Sequence, residues 1–169
     1  PKVFKDINEK RLAEQKAKDE AAAKVKADKV AYFKEMKAKA TKTESGLSYI
    51  ITKKGAGAKP ADGTEVLVDY SGFLEDGFLF DSSIPQVAKD FNNYIPQKDA
   101  AGAYVPIPFK VGTKSGMIPG FLEGLEKMNP GDEAIIFIPS HLGYGERGAP
   151  MGKIPGNANL VFELKMANK

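Results

Sequence analysis

VLVDYSGFLEDGFLFDSS, residues 66–83, is the stretch that decides the fold. Apolar and polar residues alternate from Val66 towards Tyr70, as in a strand with one buried face. Asp76 and Gly77 separate this run from a second apolar run, and the pair is typical of a type I′ turn because glycine supplies the positive φ that the turn needs. The sequence therefore predicts a β-hairpin made of 66–71 and 73–81.

Asp81 is the unexpected residue of this hairpin, because its carboxylate directly follows the apolar run that ends at Phe80. The carboxylate either points to solvent or lies at the edge of an apolar cavity. Simple alternation would place Phe80 and Asp81 on opposite faces of the sheet. Both can line one cavity only if the strand bends or bulges at this point.

Further strands and one short helix follow from the same reasoning. Alternating or β-branched runs predict strands at 47–52, 109–111, 133–139 and 159–166. IPGFLEGLEKM, after Gly116, predicts a helix with Pro119 in its first turn. The long segment 84–108 has room for a short helix within 85–94 and a polar loop at 97–103. Because connections of hairpin length dominate, the fold class is α+β, with an antiparallel sheet of five to six strands.

A long helix is predicted ahead of this domain. Residues from Asp6 to Ala40 are mainly Ala, Lys and Glu, without Gly or Pro. Apolar residues are sparse, and a short stripe predicts that only the last turns dock on another surface. The stripe consists of Val25, Tyr32 or Phe33, Met36 and Ala40. The sequence therefore divides into a charged helix, 1–44, and a globular domain, 45–169, with a long insertion at 84–108.

The role of the helix stays open between a linker and a dimerisation element. Residues 1–46 carry 13 Lys and Arg against 8 Asp and Glu, so the positive charge of the chain lies here. Acidic residues are interspersed and no aromatics alternate with the lysines, which argues against nucleic-acid binding. The first residue is Pro1 rather than Met, which favours a processed or excised chain and a domain upstream.

Composition excludes several kinds of chemistry. The chain has no cysteine and a single histidine, His141. Disulfides, thiolate nucleophiles and multi-histidine zinc sites are therefore not expected, and no G-x-S-x-G motif accompanies His141 as a serine hydrolase would need. No apolar run approaches the length of about 18 residues that spans a bilayer. The sequence predicts neither a metal nor a cofactor, and it leaves the compartment open.

Five ordered motifs resemble the FKBP-type peptidyl-prolyl cis–trans isomerases over about residues 45–167. They are V-x-V-D-Y-S-G at 66–72, L-E-D-G-x-x-F-D-S-S at 74–83, G-M-I-P-G-F-x-E-G-L at 116–125, G-Y-G at 143–145 and I-P-x-N-A-x-L-V-F at 154–162. The resemblance implies a bent sheet wrapped around one short helix, with an apolar pocket between them. The compartment stays unknown, and the expectation is a soluble, bacterial-type protein of the cytoplasm or the periplasm.

The resemblance assigns the pocket residue by residue. The catalytic set would be Asp81, Tyr144, Ile118, Phe80 and Tyr70, with the Ile118 N–H and the Tyr144 hydroxyl as donors to the substrate carbonyl. The substrate-binding set would be Phe109, Met117, Phe121, Ile154 and Phe162, with Phe121 as the floor. Ordinary core packing is the alternative role for these apolar residues, above all for Phe109 and Phe162.

The sequence departs from the family pattern near the pocket. Phe121 stands where the family commonly has tryptophan, and Ala149 where many members have histidine, in a loop, 146–153, that is one residue longer. No arginine follows Asp81 as its partner, and Lys89 and Lys98 are the only cations between Ser83 and Phe109. Tyr70 or the insertion must therefore orient the carboxylate.

The expected activity is acceleration of X–Pro rotation in proline-containing, unfolded or partly folded polypeptides, without a covalent intermediate. The alternative is a chaperone-like peptide-binding module whose isomerase activity is incidental. Macrolide inhibitors are a second ligand class that the resemblance implies.

Overall fold

Seven strands form one antiparallel sheet in the part of the chain that is described. The structure is a computed structural model, and it describes residues 2–114, 116–149 and 153–167. The strands are β1 (Thr41–Lys42), β2 (Ser48–Lys53), β3 (Glu65–Leu74), β4 (Leu79–Ser82), β5 (Ile107–Lys110), β6 (Glu133–Ile138) and β7 (Leu160–Met166). Their order is β1-β2-β6-β7-β3-β4, and β5 also pairs with β3. The predicted α+β class is confirmed, and the strand beyond the predicted six is the two-residue β1.

The sheet buries both of its faces, as the alternation within β6 shows. Ile136 and Ile138 belong to one core cluster and Ile135 and Phe137 to another, because successive side chains of a strand point to opposite faces. Helix α4 (Pro119–Glu126) packs on the first face through Phe121, Leu122 and Leu125. The sheet therefore lies between α4 on one side and other helices on the opposite side.

Helix α1 (Lys2–Lys39) covers part of the opposite face. Its residues up to Glu20 are exposed, whereas Phe33 is 4% exposed and packs edge-on against Phe73, with ring centroids 5.1 Å apart. Lys29 Nζ lies 3.0 Å from Glu163 Oε1 of β7. The predicted docking of the last turns is confirmed. None of the described helices combines the length and the apolar character that crossing a membrane requires.

The turn of the hairpin differs from the prediction. Gly77 N donates to Leu74 O and Leu74 N donates to Phe78 O, so three residues, Glu75–Gly77, form the loop. Gly77 has φ +89°, but Asp76 is not among the residues with positive φ. A type I′ turn needs positive φ at both central residues, so that prediction was wrong. Instead, the Asp76 side chain accepts a hydrogen bond through Oδ1 from Phe78 N, at 2.9 Å.

Two short helices form in the insertion. They are α2 (Pro85–Asp90), inside the predicted range, and α3 (Pro96–Ala100), where a polar loop was predicted. Each begins with a proline after an extended residue, Ile84 or Ile95, because proline restricts the preceding residue to extended backbone and itself fits a first helical turn. The division into 1–44 and 45–169 stays a prediction, and its ends, Pro1, Asn168 and Lys169, lie outside the described residues.

Candidate active site

A cavity of about 380 Å³ opens beside β4. Five of the ten predicted site residues line it, namely Tyr70, Phe80, Asp81, Tyr144 and Ile154. The other walls come mainly from the insertion, through Ala88, Asn93, Ile95, Lys98 and Tyr104. The cavity thus joins the hairpin motif to the long segment that follows it, 84–108.

A bulge in β4 lets Phe80 and Asp81 face the same cavity. Gly72 pairs with Asp81 and the next residue, Phe73, pairs with Leu79, so Phe80 has no partner in the ladder. This is the irregularity that the sequence predicted. Gly72 makes room for it, because a Cβ there would lie 2.5 Å from the Phe80 ring.

Three groups hold the Asp81 carboxylate. The Tyr70 hydroxyl donates to Oδ2 at 2.6 Å, and Lys98 Nζ donates to Oδ1 at 2.7 Å. The Ser82 N–H also donates to Oδ1, at 2.9 Å. Burial, and then the hydrogen bond to Asp81, raise the pKa of Tyr70 well above its usual value, so the hydroxyl keeps its proton. The expectation that Tyr70 or the insertion orients Asp81 is confirmed, since both do.

An aromatic cluster lies behind the cavity. The Phe121 ring makes edge contacts with Tyr70 at 6.3 Å and with Phe162 at 5.1 Å, measured between centroids, and Phe162 contacts Phe80 at 5.6 Å. Such edge-to-face pairs are favourable beyond the area that they bury. The cluster therefore gives the cavity a rigid apolar backing.

The other five predicted residues lie in the same core, but they are not among the described residues that line this cavity. Phe109, Phe121 and Phe162 are at most 5% exposed, and Met117 and Ile118 are partly buried against the core. The binding roles of all five stay predictions. In particular, the structure places Phe121 against Tyr70, one ring behind the cavity wall.

Two of the predicted site residues offer hydrogen-bond donors. Ile118 precedes α4 in extended conformation, and its N–H donates to no described residue. Tyr144 is 37% exposed, and its loop is held by hydrogen bonds from Gly145 N to Ser140 O and from Asn157 N to Gly145 O. Ala149 and Lys153 also line the cavity, whereas Pro150, Met151 and Gly152 of the same loop lie outside the described residues.

Sequence reasoning missed the contribution of the insertion to the walls. Ile95 and Tyr104 sit far from any family motif, so no pattern marked them. The one usable signal was the pair of cations in that segment, of which Lys98 reaches Asp81. Chemically, a cavity with apolar and aromatic walls, an oriented carboxylate and two lysines, Lys98 and Lys153, suits a neutral, partly apolar group that has a polar edge.

Comparisons with known proteins agree with this geometry. The family model described as FKBP-type peptidyl-prolyl cis-trans isomerase matches residues 56–167. A probable FKBP-type peptidyl-prolyl cis-trans isomerase FkpA of Neisseria meningitidis is 39% identical over 168 residues, which is 95% of this chain and 54% of that protein. An FKBP-type 22 kDa peptidyl-prolyl cis-trans isomerase of Escherichia coli is 35% identical over 98% of this chain and 69% of its own length.

Solved structures show the same likeness. The crystal structure of FkpA from Escherichia coli superposes with a TM-score of 0.57 and 27% identity, over 98% of this chain and 70% of that one. The crystal structure of AtFKBP13 superposes with a TM-score of 0.58 and 26% identity, over 75% of this chain and 94% of that one. The match covers only part of the length of some curated relatives. It spans 54% of the Neisseria meningitidis protein and 38% of an FkpA of Aeromonas hydrophila.

Proposed function

The chain belongs to the family of FKBP-type peptidyl-prolyl cis-trans isomerases, and we propose that it accelerates rotation about X–Pro bonds by binding the twisted imide in the cavity beside Asp81. The observation that carries the proposal is the bulge in β4, which turns Phe80 and Asp81 into the same cavity. Its substrates are proline-containing segments of unfolded or partly folded polypeptides.

The physical task is to lower a barrier of about 20 kcal/mol that amide resonance creates. Resonance places negative charge on the carbonyl oxygen, and water stabilises that planar, polarised form. A dry cavity withdraws this stabilisation and so favours the twisted imide. Catalysis of this kind is stronger binding of the transition state than of the ground state.

Each side chain has a separate part in this scheme. Phe80, Ile154 and the aromatic cluster behind them provide apolar contact for the proline ring. The Asp81 carboxylate stands at the polar edge and interacts with the twisted imide. The Ile118 N–H and the Tyr144 hydroxyl donate to the substrate carbonyl, which stays a hydrogen-bond acceptor throughout the rotation.

A proline-limited refolding assay tests the proposal. We expect the wild-type chain to accelerate the slow phase, and Asp81→Ala to lower kcat/KM by about tenfold or more, since each 1.4 kcal/mol of lost transition-state stabilisation corresponds to tenfold. Phe121→Ala should act in the same direction. Tyr144→Phe removes the proposed donor at an exposed position, so it should lower kcat/KM without lowering the unfolding temperature.

Phe78→Ala is the matched control for this assay. Phe78 belongs to the same hairpin and is 42% exposed, but it does not line the cavity. It should keep wild-type activity within about twofold. A wild-type chain without any effect on the slow phase, or an unimpaired Asp81→Ala variant, would contradict the proposal.

A chaperone-like module is the second candidate function. Exposed apolar side chains at and near the cavity favour it, because Ile95 is 38% and Val105 is 51% exposed. Suppression of aggregation that persists in Asp81→Ala would show that peptide binding does not depend on catalysis. Macrolide inhibitors are proposed ligands of the same cavity, and competition with a peptide substrate tests them.

A helix-mediated homodimer is also part of the proposal. It is supported by four exposed apolar residues near the start of α1, which are Val3, Phe4, Ile7 and Leu12, each at least 59% exposed. Sedimentation of the full chain should give twice the monomer mass, and Phe4→Lys combined with Ile7→Lys should give the monomer. A full chain with the monomer mass would contradict the dimer, and a double variant with the dimer mass would contradict its location at the start of α1.

A further inference from the structure

Lys98 makes an unusually complete set of contacts for a lysine in an insertion. Its Nζ donates to Asp81 Oδ1 at 2.7 Å and to the Ser82 carbonyl at 3.0 Å. It also lies 4.5 Å from the centroid of the Tyr104 ring, within the range of a cation–π interaction. The side chain is 23% exposed, so it is held among protein groups rather than solvated.

The insertion is built to keep Lys98 in this place. Two contacts hold the Tyr104 side chain in place. Its hydroxyl accepts a hydrogen bond from Ile95 N at 3.0 Å, and its ring stacks on Tyr94 with an interplanar angle of 8°. Tyr94 in turn donates its hydroxyl proton to the Asp99 carboxylate of α3. Both ends of the short helix that carries Lys98 are thus tied to the same pair of stacked rings.

Asp81 has a physical need for such a partner. Its side chain is 40% exposed, so an unpaired carboxylate would favour a rotamer directed towards solvent. Tyr70 fixes one oxygen, and Lys98 and the Ser82 N–H fix the other. A charge-assisted hydrogen bond to a partly buried ammonium is shorter and stronger than a neutral one, so Lys98 limits rotation of the carboxylate.

We infer that Lys98 is a positioning residue for the isomerase reaction, which acts by holding the Asp81 carboxylate towards the substrate imide. The insertion is then a part of the active site. The inference rests on the proposed function. It makes the insertion necessary for catalysis, rather than a surface segment without a catalytic role.

Lys89 provides a matched control within the insertion. Its Nζ lies over the Tyr94 ring at 4.7 Å, much as that of Lys98 lies over Tyr104, but no hydrogen bond or ion pair joins it to Asp81 among the described residues. Lys89→Met and Lys98→Met therefore remove the same charge and the same kind of ring contact. They differ in whether Asp81 loses its partner.

The experiment measures kcat/KM on a proline-containing peptide for the full chain and its variants. Lys98→Met should lower kcat/KM about tenfold, Lys98→Arg should restore it to within about threefold of wild type, and Lys89→Met should stay within about twofold. In an Asp81→Asn background, Lys98→Met should have less than a twofold further effect, because its action passes through Asp81. Circular dichroism and thermal unfolding confirm that each variant is folded.

The outcomes separate this inference from the proposed function. A wild-type chain without isomerase activity would contradict the proposed function and this inference together. If the wild type is active, equal losses for Lys98→Met and Lys89→Met overturn the inference alone. So does a tenfold loss from Lys98→Met that persists when residue 81 is asparagine, since Lys98 would then act through the fold instead of through the carboxylate.

Discussion

At the scale of single residues, the hydrogen bond between Tyr70 and Asp81 links the proposed role of Asp81 to the stability of the fold. The tyrosine ring packs on Phe121 while its hydroxyl reaches the carboxylate at 2.6 Å. Burial and this hydrogen bond both raise the pKa of Tyr70, because each disfavours the phenolate. The same contacts that orient Asp81 should therefore be visible in the pH dependence of unfolding.

Tyr70→Phe tests this link. A hydrogen bond to a charged group contributes about 1.5–3 kcal/mol, so the variant should lose about 2 kcal/mol of unfolding free energy at pH 7. Because the folded-state pKa is raised, this contribution is fully present below about pH 10, where the unfolded tyrosine titrates, and it is lost as pH rises further. Urea unfolding of both proteins from pH 7 to 11 measures the difference. A difference that stays constant up to pH 11 would contradict the account.

At the scale of elements, α4 owes its position to glycines that allow close contact with β6. A Cβ on Gly120 would lie 2.5 Å from Ile138 Cγ2, and one on Gly124 would lie 2.7 Å from Ile136 Cδ1. The loop between β1 and β2 also reaches α4, since Thr43 and Ser45 donate hydrogen bonds to the Glu123 carboxylate at 2.7 and 2.5 Å. The helix that carries Phe121 is thus fixed from both sides.

Gly124→Ala should have two opposing effects on stability, a gain in helix propensity and a loss in packing. Alanine favours a helix by about 1 kcal/mol over glycine, but the overlap with Ile136 should cost about 1–3 kcal/mol as overpacking. We expect a net loss of stability and a weaker refolding activity, because α4 must move away from the sheet. Adding Ile136→Val, which removes the Cδ1 atom in closest contact, should recover part of the stability in thermal unfolding. A stabilised single variant would show that α4 has room to move.

At the scale of the whole molecule, the sheet separates two core clusters. Helix α4 packs with one core cluster, whereas α1 docks on the other through Phe33, which also contacts Phe137 at 6.4 Å between centroids. Residues of both clusters line the cavity, since Phe80 belongs to the first and Leu79 and Ala88 belong to the second. The insertion reaches both, because Phe91 of the segment after α2 packs on Phe73 at 5.1 Å while Lys98 reaches Asp81.

Phe33→Ala should release α1 from the domain. Truncating a buried phenylalanine lowers the free energy of unfolding by about 3–5 kcal/mol. Here the lost contacts are those between α1 and the sheet, so the helix should detach first. Hydrogen exchange in residues 19–39 should become faster, while kcat/KM stays within about threefold of wild type. Phe4→Ala, in the exposed part of the same helix, is the control and should leave exchange in 19–39 unchanged. Unchanged exchange in Phe33→Ala would show that other contacts hold α1.

Much of this molecule could be predicted from its sequence. Period-2 alternation identified the main strands, the Ala, Lys and Glu run identified α1, and the position of Asp81 after Phe80 predicted the bulge in β4. The hairpin loop could not be predicted from Asp76 and Gly77, because the same pair suits a two-residue and a three-residue loop, and the pairing across the ladder selects between them. Ile95 and Tyr104 could not be predicted as cavity residues, since no local pattern reports which distant strand an insertion meets.

The sequence by itself determined the fold class, the family, the long charged helix and the presence of an acid that lacks the usual arginine partner. Those features depend on local periodicity and on ordered motifs, which are readable along the chain. Only the tertiary structure decided that Lys98 rather than Lys89 pairs with Asp81, at 2.7 Å, and that the insertion completes the cavity. A contact between residues 17 positions apart depends on how α3 packs, and packing is a property of the folded chain.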